Sequence, residues 1–299
     1  MRNCLLGLAT LCFASVALAQ FSGRPNDVVI YLFSVKGPAG FQTVSPSSAA
    51  LFAGVEVKRM ASLAKEEFGT DFEAEYRQLY HKDTNDQLML ITQREWMESP
   101  HQRTIEAAKV MIVSGMLRLM PPGRAPVDAP VGFYAPFAAG IDFGPVKAVI
   151  EEQLLLWTPF NGFPNVVRAP DSYISPLVPP GKIGLDVILE GGSFVQLLPW
   201  FSLQRQQPTA GWQQGIDYRL VERDTNLNTT ARILRIRPGR TTPLFRLDAN
   251  THMVVLSGSV RITPLNGATQ VLDRLDYAWV PNGAPVVLAN PAPDDGSAR

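Results

Sequence analysis

Three histidines are the only imidazoles in this 299-residue chain, and they are the first places to look for acid–base or metal chemistry. His81 lies in the polar run His81-Lys-Asp-Thr-Asn-Asp86 and His101 follows Ser99-Pro100. Exposure or helix capping accounts for both. His252 stands in the apolar run Thr251-His252-Met-Val-Val-Leu256, where a core histidine held by one hydrogen bond competes with a general acid/base. The carboxylates Glu66, Glu67, Asp71, Glu73 and Glu75 fit a solvated helix face with acids in its first turn. His81–Asp86 lacks the glycine and the terminal glutamate of a calcium loop. No glycine-rich phosphate loop, serine elbow or zinc-protease helix is present. The aromatic stretch Trp157-Thr-Pro-Phe160-Asn-Gly-Phe163 either lines a pocket or plugs a β-domain.

The stretch from about 228 to 290 alternates short β-rich runs with Pro/Gly turns. Gly239 is followed by a five-residue gap, then Phe245-Arg246-Leu247, then His252 and Gly258. Further on stands Pro281-Asn-Gly283-Ala-Pro-Val286-Val-Leu-Ala-Asn290. In turn pattern this stretch resembles the cupin superfamily. That family's first motif runs glycine, His-x-His, glutamate, glycine; its second runs Pro-x-Gly, then histidine and asparagine. The resemblance implies a small β-barrel, with Phe245, Leu247, His252 and Val286 at the four metal-ligand positions. A first-row metal needs three or four converging N, O or S donors, and one imidazole among three apolar side chains does not supply them. No metal or other cofactor is therefore expected. The same four residues, Phe245, Leu247, His252 and Val286, become the candidate ligand-binding set for a small apolar or weakly polar molecule.

Alternation supports this assignment without the family name. Phe245 and Leu247 share one side of an extended run, with Arg246 on the other. Arg232, Arg235 and Arg237 read as the solvated side of a strand, with an anion-binding stripe as the functional alternative.

The chain's beginning carries an address. Met1-Arg2, an apolar run from Cys4 to Val16 and Ala17-Leu18-Ala19 make a secretory signal peptide cleaved after Ala19, which implies a periplasmic or secreted protein. Both cysteines, Cys4 and Cys12, lie inside it, so the exported chain has no disulfide framework. Basic and acidic residues balance at 27 each, which provides no electrostatic basis for binding nucleic acid or an anionic membrane. No later apolar run reaches spanning length, so no membrane insertion is expected after cleavage.

The elements that must position these residues are read from periodicity. Val28–Val35 is β-branched and aromatic between Pro25 and Gly37-Pro38, and reads as a buried strand. Three helices are expected next. One runs to about Phe68; a second opens at the capping box Thr70–Glu73 with Phe72, Tyr76, Leu79 and Tyr80 as its stripe. A third opens at Ser99-Pro100 and carries Ile105, Ala108, Ile112, Met116 and Leu119. From 126 to 215 proline and glycine recur between short apolar runs, which suggests strands and a degenerate second barrel; Val146–Trp157 fits either strand or helix.

The expected fold class is α+β: an N-terminal helical segment with β elements, followed by a C-terminal cupin-like β-barrel. Its divisions are a signal peptide (1–19), an α-rich region (20–125), a Pro/Gly-rich β region (126–215), the barrel (216–290) and a frayed tail (291–299). Two functions remain open. One is a metal-free binding or scaffold protein. The other is a metal-independent cupin enzyme, of sugar isomerase or lyase type, with His252 as acid/base and Tyr277 or an arginine as partner. A homodimer formed edge to edge by the barrel is a further expectation.

Overall fold

A computed structural model describes residues 26–37, 40–45, 54–67, 74–82, 86–99, 102–104, 106–119, 127–137, 142–143, 146–159, 166–168, 195–196, 212 and 214–293. The signal peptide, the box Thr70–Glu73, His101 and Phe160–Phe163 lie outside these residues.

The described chain is built of strands, with a single short 3-10 turn at Met60–Ser62. The expected N-terminal helical segment, and with it the α+β class, is therefore corrected to an all-β fold. Where the first helix was expected, the described residues form the short strands Glu56–Lys58 and Glu66–Glu67 around that turn, and the other two misreadings have a specific cause. Residues 74–82 form one strand, Ala74–Lys82, whose register against Asp86–Gln93 slips between Gln78 and Tyr80. The slip puts Tyr76 and Leu79 three apart in a strand, a spacing that imitates a helix. Residues 108–119 form the strand Ala108–Leu119. Its Ala108, Ile112 and Met116 recur every fourth residue, which is a multiple of the strand period as well as a helical step. Met111 and Val113 on the other face are buried too, so no polar alternation exposes the period. Val146–Thr158 is likewise a strand. No helix among the described residues is long and apolar enough to cross a membrane.

The chain divides into two compact units, Leu63–Leu198 as the main body of one, and Leu18–Ser62 with Pro199–Arg299 as the other. We call them the first and second units. In the second, a six-stranded sheet runs in the order Ile216–Asp224, Thr229–Ile236, Val28–Val35, Asn250–Ser257, Tyr277–Val280, Glu56–Lys58. A five-stranded sheet runs Phe41–Thr43, Phe245–Leu247, Val286–Ala289, Val260–Pro264, Gln270–Leu272. The Val28–Val35 strand is the centre of the large sheet, antiparallel to Thr229–Ile236 on one side and Asn250–Ser257 on the other. Between the two sheets lies one apolar core, which takes Val28, Ile30 and Leu32, Leu234 and Ile236, Met253 and Val255, Phe245 and Leu247, Val286 and Leu288.

The first unit has a nine-stranded sheet. Its main path runs Val195–Gln196, Phe133–Phe137, Ala108–Leu119, Val146–Thr158, Asp86–Gln93, Ala74–Lys82, Glu66–Glu67, with Val127–Pro130 and Glu98–Ser99 paired off that path, and a small sheet runs Asp142–Phe143, Gln102–Thr104, Val166–Arg168. The first six strands of that path follow the order of the second unit's large sheet, taken from its Glu56–Lys58 end, with Val146–Thr158 in the place of Val28–Val35. The correspondence reaches single residues at one constant offset: Gly115 and Gly258, Tyr134 and Tyr277, Ala135 and Ala278. An internal repeat, invisible in the sequence reading, is therefore built into the fold. The Pro/Gly-rich region read as 126–215 supplies only part of this first unit.

Gly115 and Gly258 show what the repeat preserves. Both have positive φ, 76° and 72°, at a left-handed position that side chains with a Cβ resist. A Cβ on Gly115 would lie 2.3 Å from the carbonyl oxygen of Glu151, and one on Gly258 2.9 Å from that of Asp27. In each unit the glycine lets one strand end press against the central strand of the large sheet.

Candidate functional site

The candidate set divides between two faces of one sheet. Phe245, Leu247 and Val286 point into the core between the two sheets of the second unit, and each is buried. Phe245 is paired directly with Val286 across neighbouring strands. His252 does not join them. It is paired with Phe33 and with Trp279, on the face opposite Leu32, Met253 and Ala278. There it is fully buried, its ring centroid 4.8 Å from that of Trp279 and 6.4 Å from that of Phe33. Its Nδ1 lies 3.0 Å from the hydroxyl of Tyr277.

The residue that does face the core at this point is Thr251. The first-motif gap after Leu247 is three or four residues; taking three rather than four brings Thr251 instead of His252 to the glutamate position. Thr251 is fully buried, and its hydroxyl lies 2.9 Å from that of Ser34 and donates to the carbonyl of Ala249 at 3.1 Å. Strand parity decides the assignment: Thr251, Met253 and Val255 share a side, and the last two are in the core. The side chains of the candidate stretch that share the core face are thus Phe245, Leu247, Thr251 and Val286. A phenyl ring, two aliphatic chains and a neutral hydroxyl do not fit a first-row metal. Among the described residues no group of three or more His, Cys, Asp or Glu is gathered as a metal cluster.

The framework residues of the motifs have structural roles. Gly239 and Gly283 have positive φ, at 68° and 77°. Gly283 donates its amide to the carbonyl of Leu247 at 2.8 Å. Asn290 donates its side-chain amide to the carbonyls of Asn26 and Ile236, at 2.7 and 2.9 Å, and so ties the chain's last strand to its first.

Of the three arginines read as one solvated stripe, Arg232 and Arg235 are buried, on opposite faces, and Arg237 is half-buried. Arg235 is 2% exposed and donates to Asp217 at 2.8 Å, with Asp27 at 3.6 Å. This is a buried ion network on the same face as His252. Arg232 has the parity of Leu234 and Ile236, opposes Leu32, and turns to the core side. Its guanidinium carbon lies 5.7 Å from the centroid of the Phe41 ring. Burial pulls its pKa down to about 10, opposed by the nearby Tyr218 and helped by Arg223, and it stays cationic at neutral pH.

Around Arg232 the core is aromatic. Phe41 meets Trp212, Tyr218 and Phe245 at centroid separations of 5.4, 5.1 and 5.7 Å, and Trp212 meets Phe245 at 5.1 Å. Trp212 is 5% exposed, yet its Nε1–H has no acceptor among the described residues. Tyr218 is partly exposed, so this cluster lies where the core approaches solvent. Sequence reasoning named Arg232 with Arg235 and Arg237, as a solvated face or an anion-binding stripe, but did not turn it inward; it missed Trp212, which stands outside every apolar run.

No family model matches this chain, and no curated protein matches it either. Solved structures do. The oxalate decarboxylase of Bacillus subtilis, determined at pH 4.6, is similar with a TM-score of 0.54 at 13% identity, over 81% of this chain and 74% of that one. The oxalate decarboxylase of Lactobacillus farciminis, in a formate complex, is similar with a TM-score of 0.52 at 11% identity, over 81% of this chain and 83% of that one. At such identities the likeness is one of fold. The fold of this chain is cupin-like.

Proposed function

We propose that this protein is an exported, metal-free, cupin-like binding protein whose second unit holds a small organic anion with an apolar body. The observation that carries this reading is the aromatic core around Phe41, whose ring meets both the Arg232 guanidinium and Trp212, an indole whose N–H has no acceptor among the described residues. A carboxylate accepts from that N–H and is favoured by the cation on the same cluster. The rings of Phe41, Trp212 and Phe245, with Leu247 and Val286 deeper, suit the apolar part of such a ligand. The leader read at 1–19 supports export, and the side chains at the four metal-ligand positions support a metal-free role. An acid–base role for His252 has no such support, because the histidine faces away from the core and is enclosed by Phe33, Trp279 and Tyr277.

Titration calorimetry of the full chain with benzoate and with hexanoate tests this reading. Saturable binding is expected, weakened at least about tenfold in Arg232→Met, which keeps an unbranched apolar stem but not the charge. Absence of binding by both acids, or equal binding by the variant, overturns it. A stoichiometric first-row metal in the purified protein overturns the metal-free part.

A further inference from the structure

The first unit contains hydrogen-bond acceptors that its own side chains leave unanswered. Glu152 and Gln93 stand directly opposite each other on neighbouring strands, and the row continues to Ala74. They share a face with Tyr76, Ile91, Leu154 and Leu156, all members of the first unit's apolar core. Both therefore turn inward. Glu152 is fully buried and Gln93 is 9% exposed. Neither carboxylate oxygen of Glu152, nor Oε1 of Gln93, has a hydrogen-bond partner among the described residues. Farther along the same face the Tyr76 hydroxyl donates to Glu66, so it is already engaged. Among the described cations, Arg77 opposes Leu90 and Lys109 opposes Trp157, on the other face, and Arg94 reaches Glu75.

The fold itself does not require these groups. The repeat places Glu152 where the second unit has Val28, and Gln93 where it has Ile236. Val28 and Ile236 oppose each other as Glu152 and Gln93 do, and both are fully buried. The two glycines confirm the alignment, since Gly115 abuts Glu151 and Glu152 as Gly258 abuts Asp27 and Val28. One backbone position thus accepts a valine in one unit and a carboxyl in the other. A buried carboxyl without a partner is costly, so its presence calls for a donor from outside the chain.

We infer that the core side of the first unit, at Glu152 and Gln93, is a binding site for a small primary amine. An ammonium offers several N–H donors to the Glu152 oxygens and to Oε1 of Gln93, and its charge compensates a carboxylate that no side chain among the described residues of this face neutralises. Burial pushes Glu152 up to about 8, so near neutral pH the carboxyl holds its proton. Binding an ammonium displaces that proton, whereas binding a neutral diol does not.

The test is titration calorimetry of the full chain with putrescine and with n-butylamine at pH 7, in two buffers of different ionisation enthalpy. Saturable binding with release of about one proton is expected. Glu152→Val and Gln93→Ile copy the second unit; each is expected to weaken binding at least about tenfold while leaving the thermal midpoint unchanged or raised. Absence of saturable binding by both amines overturns the site, as does undiminished binding in these variants. Uptake of 1,4-butanediol without proton release overturns the amine assignment. If Glu152→Val fails to fold, Gln93→Ile carries the same comparison.

Discussion

Ser34 and Thr251 place their hydroxyl oxygens 2.9 Å apart in the interior of the second unit, one from the chain's first described strand and one from near its end. They are fully buried and form a polar pair on the core side. A pair of hydroxyls satisfies itself without charge, so this buried spot is polar but neutral.

Breaking that pair is expected to cost more than deleting it. Thr251→Val leaves the Ser34 hydroxyl without this partner in an apolar core and should lower stability by about 1–3 kcal/mol. Adding Ser34→Ala should recover part of that loss. Urea denaturation of the two single variants and the double variant measures the coupling, and simple additivity would show that the hydroxyls do not depend on each other.

His252→Ala is expected to reduce stability by about 3 kcal/mol, because it opens a cavity between Phe33 and Trp279 and removes the Tyr277 partner. Benzoate affinity should be unchanged, since the side chain faces away from Arg232 and Phe41. A fall in affinity with intact stability would return His252 to the binding site.

Arg235→Met should destabilise the chain by about 3–5 kcal/mol by leaving Asp27 and Asp217 with less compensation. An exposed strand arginine would give a change within about 0.5 kcal/mol. Chemical denaturation separates these outcomes by a wide margin.

Alanine at the two repeat glycines should cost unequally. Both substitutions force a Cβ into left-handed backbone, but the clash at 115 is 2.3 Å against 2.9 Å at 258. Gly115→Ala is expected to be the more damaging, with Gly258→Ala costing about 1–3 kcal/mol. Thermal midpoints of the two variants give the order.

Stability should fall with rising pH wherever Glu152 titrates. Its folded value of about 8 lies above its ordinary 4.5, with burial as the cause, so between those values the folded chain binds the proton more tightly than the unfolded one. The contribution is fully present below pH 4.5 and is lost as the pH rises through about 8. Glu152→Val should flatten that slope in denaturation midpoints taken across the window. An unchanged slope would place the titration elsewhere.

Local sequence determined the strand Val28–Val35 and the cupin-like turn framework of Gly239, Gly258, Gly283 and Asn290. Each rests on short-range chemistry, either a β-branched run bounded by turn residues or a backbone turn that needs glycine. Alternation also determined that Phe245 and Leu247 share one side of their strand, opposite Arg246. Only the tertiary structure decided the rest. The register across strands turned His252 outward and Thr251 inward, a difference of one residue that reverses the face and that no window of sequence contains. The pairing of Val28–Val35 with strands some two hundred residues away joined the chain's start to its end. Bulges at Gln78/Tyr80 and along Val146–Thr158, with sheets buried on both faces, erased the alternation that would have marked the first unit as β. The repeat was equally hidden, because what it preserves is backbone geometry at Gly115 and Gly258, while most of the side chains around it have diverged.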